Sequence, residues 1–207
     1  MLHKKKALTL RMNTDFGTIL LKGPVTPEQL DELEIYDQLD AFRPPLQQLE
    51  ALKEIASLDE GRIIVALKDN NIIGYVTFLY PDPIERWSTF KMKNLIELGA
   101  IEIAKDYRGL HLGSKLIELS VRDPFMDNYI IISTEYYWHW DINETKLSVW
   151  EYRKIMEKMM NAGGLQPAPT NDPEIMSHPA NCLMVRIGKN VKEEDRQLFD
   201  KLRFLND

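Results

Sequence analysis

The chain has 207 residues, 44% hydrophobic and 28% charged, with a formal net charge of −6. That length sits near one domain on a prior of roughly 100–200 residues each, and the composition excludes intrinsic disorder. The acidic balance argues against a nucleic-acid binder, which needs a basic footprint; a small anion site stays open, because backbone N–H groups bind phosphate whatever the net charge.

Segments 7–12 and 18–22 read as the strands of an N-terminal hairpin within residues 1–22, turning through Asn13–Gly17. Thr26 and Pro27 have the chemistry of an N-cap and first helical position, so a helix is expected over 27–33. A second helix is expected over 44–57, with leucines recurring at Leu46, Leu49 and Leu52. A hairpin follows: strand 62–68, turn Asp69-Asn70-Asn71, strand 72–79. Residues 84–94 read as a loop with a short helix. Strand 98–104, loop 105–112 and helix 113–121 come next, then an apolar strand over 129–134, buried on both faces. A long helix is expected over 145–161 with Gly163-Gly164 behind it, then a strand over 183–187 and a C-terminal helix within 190–207. The order predicts a single mixed α/β domain over 1–207.

The lone cysteine, Cys182, rules out an intramolecular disulfide and a CxxC zinc site, and reads as a buried structural thiol. His3, His111, His139 and His178 are scattered, so no metal is expected. No apolar run is long enough to span a bilayer, and Lys4-Lys5-Lys6 leads into no apolar stretch of a secretory signal. A cytoplasmic protein without membrane or nucleic-acid partners is the expectation.

The stretch from Ile101 to Ile117 carries the chemistry. A strand feeds a loop holding Gly109 and Gly113, and the loop opens a helix. Free N–H groups and the positive dipole end make that start a seat for phosphate, and Arg108 adds a fork of donors. Physics alone gives an anion site after a strand, or an ordinary βα turn. There is no G-x-G-x-x-G and no G-x-x-x-x-G-K-[ST].

This segment resembles the signature of the GNAT acyltransferase superfamily, Arg/Gln-x-x-Gly-x-Gly/Ala after a strand. Arg108 and Gly113 match its first and last positions; His111 stands where its first glycine usually stands. The resemblance implies a mixed, mostly antiparallel central sheet flanked by helices. It implies acetyl-CoA as co-substrate, its pyrophosphate at Arg108 and Gly109 and on the amides of Leu110, His111, Leu112, Gly113 and Ser114, its pantetheine arm along Ile101 and Ile103. The strings Arg86-Trp87, 95–102, 134–141, 149–154 and 159–164 resemble, more narrowly, acetyltransferases of acetoin utilization in Bacillus-type bacteria. That resemblance implies acetylation of a protein lysine, with AMP-forming acetyl-CoA synthetase as the target, switched off at its active-site lysine. A small-amine acetyltransferase and a non-catalytic CoA sensor are the other readings.

By the same analogy the general base is Glu97, with Glu102 as rival. Strict alternation puts Glu97, Gly99, Ile101 and Ile103 on one face and Glu102 on the other, unless a bulge intervenes. The resemblance also implies a tyrosine that protonates the leaving thiolate, Tyr136 or Tyr137, though aromatics so clustered commonly form core and pocket wall. Acids at Glu28, Asp31, Glu32, Glu34, Asp37 and Asp40 form either a solvated face or a docking surface for a basic partner. Arg43 follows as an ion-pair partner or substrate contact.

Overall fold

The computed structural model describes residues 2–205; residue 1 and residues 206–207, the ends of the expected hairpin and helix segments, lie outside the described residues. The strands are β1 Leu8–Thr14, β2 Gly17–Gly23, β3 Glu34–Ile35, β4 Arg62–Lys68, β5 Asn71–Leu79, β6 Leu95–Ile103, β7 Ile130–Glu135, β8 Gln166–Ala168 and β9 Cys182–Ile187. The helices are α1 Pro27–Asp31, α2 Pro45–Ser57, α3 Leu112–Val121, α4 Ile142–Thr145, α5 Val149–Asn161, α6 Pro173–Met176 and α7 Glu193–Arg203. All strands join one nine-stranded sheet in the order β1-β2-β4-β5-β6-β7-β9-β8, with β3 added in parallel at the start of β5. Its neighbours are antiparallel except at β3–β5 and β6–β7.

Apolar alternation along each strand divides the core. Ile64 and Ala66 of β4, Val76 and Phe78 of β5, Ile96 and Leu98 of β6, and Ile131 of β7 face α3 and α5. The opposite face is split. Ile63, Val65 and Tyr75 pack under α1 and α2, while Leu95, Ile130, Ile132, Leu183 and Val185 pack under α7. Each fully buried Leu or Ile contributes about 1.5–3 kcal/mol, so the clusters fix the three layers. The division between the two clusters on that opposite face falls along β6.

Several elements differ from the sequence-based expectation. The helix at Pro27 closes at Asp31, and the unexpected β3 follows; Thr26 caps this short helix through a reciprocal box with Gln29. The expected helix 145–161 is two helices. Lys146 turns left-handed (φ 54°) after α4, and Ser148 with Glu151 builds a capping box that restarts the chain as α5. Strand β6 begins at Leu95 rather than Leu98, because Leu95 and Ile96 pair with Ile130 and Ile131 and are buried there. β8 and α6 had no periodic signal to announce them.

Candidate active site

β6 and β7 run side by side only through Leu95↔Ile130, Ile96↔Ile131 and Glu97↔Ile132. Beyond Glu97 the strands part, while β6 continues to Ile103 with β5 as its ladder partner. Its other backbone edge, past Ile101 and Ile103, is left without a strand. Side chains pin the fork where it opens. The Ser133 hydroxyl lies 3.2 Å from the Leu98 carbonyl, and Thr134 Oγ1 donates to Glu97 Oε1 at 3.1 Å.

A bulge decides which way the β6 acids point. Thr77 pairs with Ala100 and Phe78 with Leu98, so Gly99 is the extra residue. It breaks the alternation. Ile101 and Ile103 face the α3–α5 side, and Glu97 and Glu102 share the opposite face. This corrects the strict alternation expected from the sequence. Tyr75, opposite Glu102 in register, and Thr134 belong to that same face.

The two carboxylates have different surroundings. Glu102 is buried and fully engaged: Tyr75 Oη donates to one oxygen at 2.7 Å and the Ala41 amide to the other at 2.9 Å. It clamps the connector between α1 and α2. Glu97 holds only the Thr134 bond among the described residues. Burial, reinforced by the negative charge of Glu85 and opposed by the Thr134 bond, pushes its carboxyl up to about 7. A carboxyl poised near neutrality in a fork between strands has the profile of a general base.

The loop after β6 forms a cradle. A 3₁₀ turn, Lys105–Tyr107, is braced by Tyr36 Oη donating to Asp106 and by the Asp106 amide donating to Gln38. Gly109 (φ 86°) and His111 (φ 58°) both take left-handed backbone. His111 therefore holds the conformation for which a glycine is favoured. It precedes α3 as N-cap with no side-chain cap bond. Among the described residues, nothing accepts from the amides of Gly109, Leu110, His111, Leu112, Gly113 or Ser114. Space beside Gly109 is open. These groups suit a diphosphate. Gly113 itself is buried, and a Cβ there would lie 2.6 Å from Met159 Sδ, so this glycine also lets α3 pack on α5. Arg108 pairs with Asp141 at 2.7 Å, both partly exposed.

The tyrosines separate. Tyr136 stacks on Trp138, and its hydroxyl lies 3.4 Å from Glu174; burial and the acids around it push its pKa up. Tyr137 donates its amide to Asn181, and its ring packs on His178. Arg43 is exposed on the connector clamped by Glu102. Of the acidic stretch, Asp31 pairs with Lys53. Cys182 is buried and its thiol is pushed up to about 12, as suits a structural thiol. Sequence reasoning missed Ser133, Thr134 and Glu135. Glu135 Oε1 lies 2.9 Å from Ser133 Oγ, and Trp140 Nε1 donates to Oε2 at 3.3 Å. Burial pushes the Glu135 carboxyl up, against the pull of those two bonds. No motif marks these residues. Among the described residues no three His, Cys, Asp or Glu side chains gather as a metal site, and no helix is long and apolar enough to cross a membrane.

A forked sheet with an amide cradle at its opening is the framework of an acyl-CoA enzyme. Residues 29–142 match the acetyltransferase (GNAT) family, and the chain belongs to that family. It is 58% identical to acetoin utilization protein AcuA of Bacillus subtilis, over 98% of this chain and 96% of that one. It is 57% identical to AcuA of Bacillus licheniformis, over 99% and 97%. A crystal structure of an acetoin utilization protein from Exiguobacterium sibiricum superposes with a TM-score of 0.94 at 55% identity, covering 97% of this chain and 95% of that one. Within the GNAT family the chain thus falls in the AcuA branch.

Proposed function

We propose that this protein moves the acetyl group of acetyl-CoA onto a lysine side chain of another protein, and that its substrate is AMP-forming acetyl-CoA synthetase, inactivated at its active-site lysine. The reaction would tie the protein to acetoin and acetate metabolism in the cytoplasm. The acetoin-utilization relatives support the metabolic assignment; the substrate follows from the resemblance of the sequence strings. The observation that carries the chemistry is Glu97, near neutrality at the point where β6 and β7 part.

The residues divide the work by face. The amides from Gly109 to Ser114, with Arg108, would hold the pyrophosphate, and the free edge of β6 at Ile101 and Ile103 would pair with the pantetheine arm. The acceptor amine would enter on the opposite face, between α2 and α7, where Glu97, Tyr136, Glu85 and Glu174 favour a cation. A free lysine has a pKa near ~10.4, so almost none is neutral at pH 7. Glu97 would take its proton, and general bases contribute about 10²–10⁴-fold. Arg43, on the rim of that face, would meet the partner's surface.

Mass spectrometry of purified acetyl-CoA synthetase after incubation with this protein and acetyl-CoA tests the reading. One dominant acetyl-lysine with loss of synthetase activity is expected. Acetylation of small amines alone would make it a small-molecule enzyme. Binding of acetyl-CoA with no free thiol released to any acceptor would make it a sensor.

A further inference from the structure

The Ser133 hydroxyl has one hydrogen, yet its oxygen approaches two oxygens, the Leu98 carbonyl at 3.2 Å and Glu135 Oε1 at 2.9 Å. A carbonyl can only accept. If Ser133 donates to Glu135, the approach to the Leu98 carbonyl has no hydrogen; both approaches are hydrogen bonds only when Ser133 donates to Leu98 and Glu135 carries the proton and donates. The surroundings fit that assignment. Trp140 Nε1 supplies one neutral donor to the other oxygen, and no cation pairs with this carboxyl among the described residues. The titratable groups that interact with it are Cys182 opposite on β9, Tyr152 on α5 and Glu97 across the fork; the cations Arg153 and Arg108, which act on Cys182 and Tyr152, are themselves paired with Glu157 and Asp141. Burial also raises its affinity for a proton.

This pair sits where β6 and β7 separate, on the face of Ile101 and Ile103 rather than that of Glu97 and Tyr136. Resting on the acetyltransferase reading, we propose that Glu135 is stored as the neutral acid and, through Ser133, protonates the thiolate of CoA as it leaves. When the carbon–sulfur bond breaks, the Ser133 O–H turns from the Leu98 carbonyl to sulfur and gives up its proton, forming S–H. The Ser133 oxygen takes the Glu135 proton in the same movement. Glu135 is left as a carboxylate and is reprotonated from water after CoA departs. The proton taken from the amine by Glu97 leaves to water, so the turnover balances. Acid and base thus lie on opposite faces of the fork.

Glu135→Gln preserves the bulk and a carbonyl for Trp140 but carries no transferable proton. It is expected to lower kcat about 100-fold, with KM for acetyl-CoA nearly unchanged. Acetyl-seleno-CoA, whose selenolate leaves without a proton, is expected to recover most of that loss. Ser133→Ala should lose rate in the same way, and serves if the glutamine variant folds poorly. Carbon-13-edited infrared spectroscopy of the Glu97→Gln variant, at the pH where the parent is most active, is expected to show a neutral glutamic acid band that a further Glu135→Gln removes. A fully ionised Glu135 at that pH overturns the proposal, as does a Glu135→Gln enzyme with ordinary turnover while the unaltered protein is active. An unaltered protein that acetylates no amine sinks the acetyltransferase reading instead, and this step with it.

Discussion

Glu97 and Glu102 point to the same side of β6 because Gly99 is pushed out of the ladder between them. Sharing a face, they are separated in role by their partners. Glu102 is saturated by Tyr75 and the Ala41 amide, whereas Glu97 has a single hydroxyl partner and the fork in front of it.

Glu97→Gln is therefore expected to lower kcat by about 10²–10³-fold while leaving acetyl-CoA affinity within about two-fold. The parent enzyme should lose rate as pH falls through about 7, because protonation removes the base. That limb should vanish in the variant. Stability has the opposite sign. A carboxyl raised above its unfolded value binds more protons when folded, so stability declines as pH rises from the unfolded value to about 7. Thermal melts should show Glu97→Gln gaining more over the parent at pH 8 than at pH 4. Steady-state pH profiles and melting curves check both statements.

Glu102→Gln should act through folding rather than chemistry. Its amide oxygen can keep the Ala41 amide and its nitrogen can donate to the Tyr75 oxygen, but the Tyr75 hydroxyl then loses the acceptor for its own hydrogen. An unmet buried donor costs about 1–3 kcal/mol. Urea denaturation is expected to report a loss of that size, with kcat per folded molecule changed far less than in Glu97→Gln. Equal kinetic damage in the two variants would return Glu102 to the catalytic role.

His111 occupies left-handed backbone that costs a residue with a Cβ about 1–2 kcal/mol. His111→Gly should keep CoA affinity, since the amide stays in place, and should not destabilise the fold. His111→Val, branched at Cβ and poorly suited to positive φ, should lower both. Calorimetric CoA titrations with paired melts separate these outcomes.

Arg108 is shared with Asp141 across 2.7 Å. Arg108→Gln should weaken CoA binding about 10-fold, as expected for the loss of a charge-assisted contact. Asp141→Asn releases the guanidinium, so it should tighten binding by a few-fold at low salt, an advantage that shrinks as ionic strength rises. Titrations at two salt concentrations decide it.

Much of the anion cradle was legible in the sequence because it is made locally. A strand, a glycine-bearing turn and the first amides of a helix are neighbours along the chain, and their chemistry needs no distant partner. The two hairpins β1–β2 and β4–β5 were legible for the same reason, whereas β3 and β8 were not. His111 was read as a departure from glycine, and the fold gives it glycine's conformation.

The catalytic environment is a different matter. The Gly99 bulge exists only because β5 pairs with β6, so the parity of Glu97 and Glu102 was decided by a neighbouring strand. Glu97 draws its raised pKa from burial and from the charge of Glu85, against the bond from Thr134, and the proton affinity of Glu135 is raised by burial, against the bonds from Ser133 and Trp140. Side-chain identity and local backbone chemistry are written along the chain. Proton affinity is set by what the fold brings within a few ångströms and by how much water it removes, and the linear order of residues contains neither quantity.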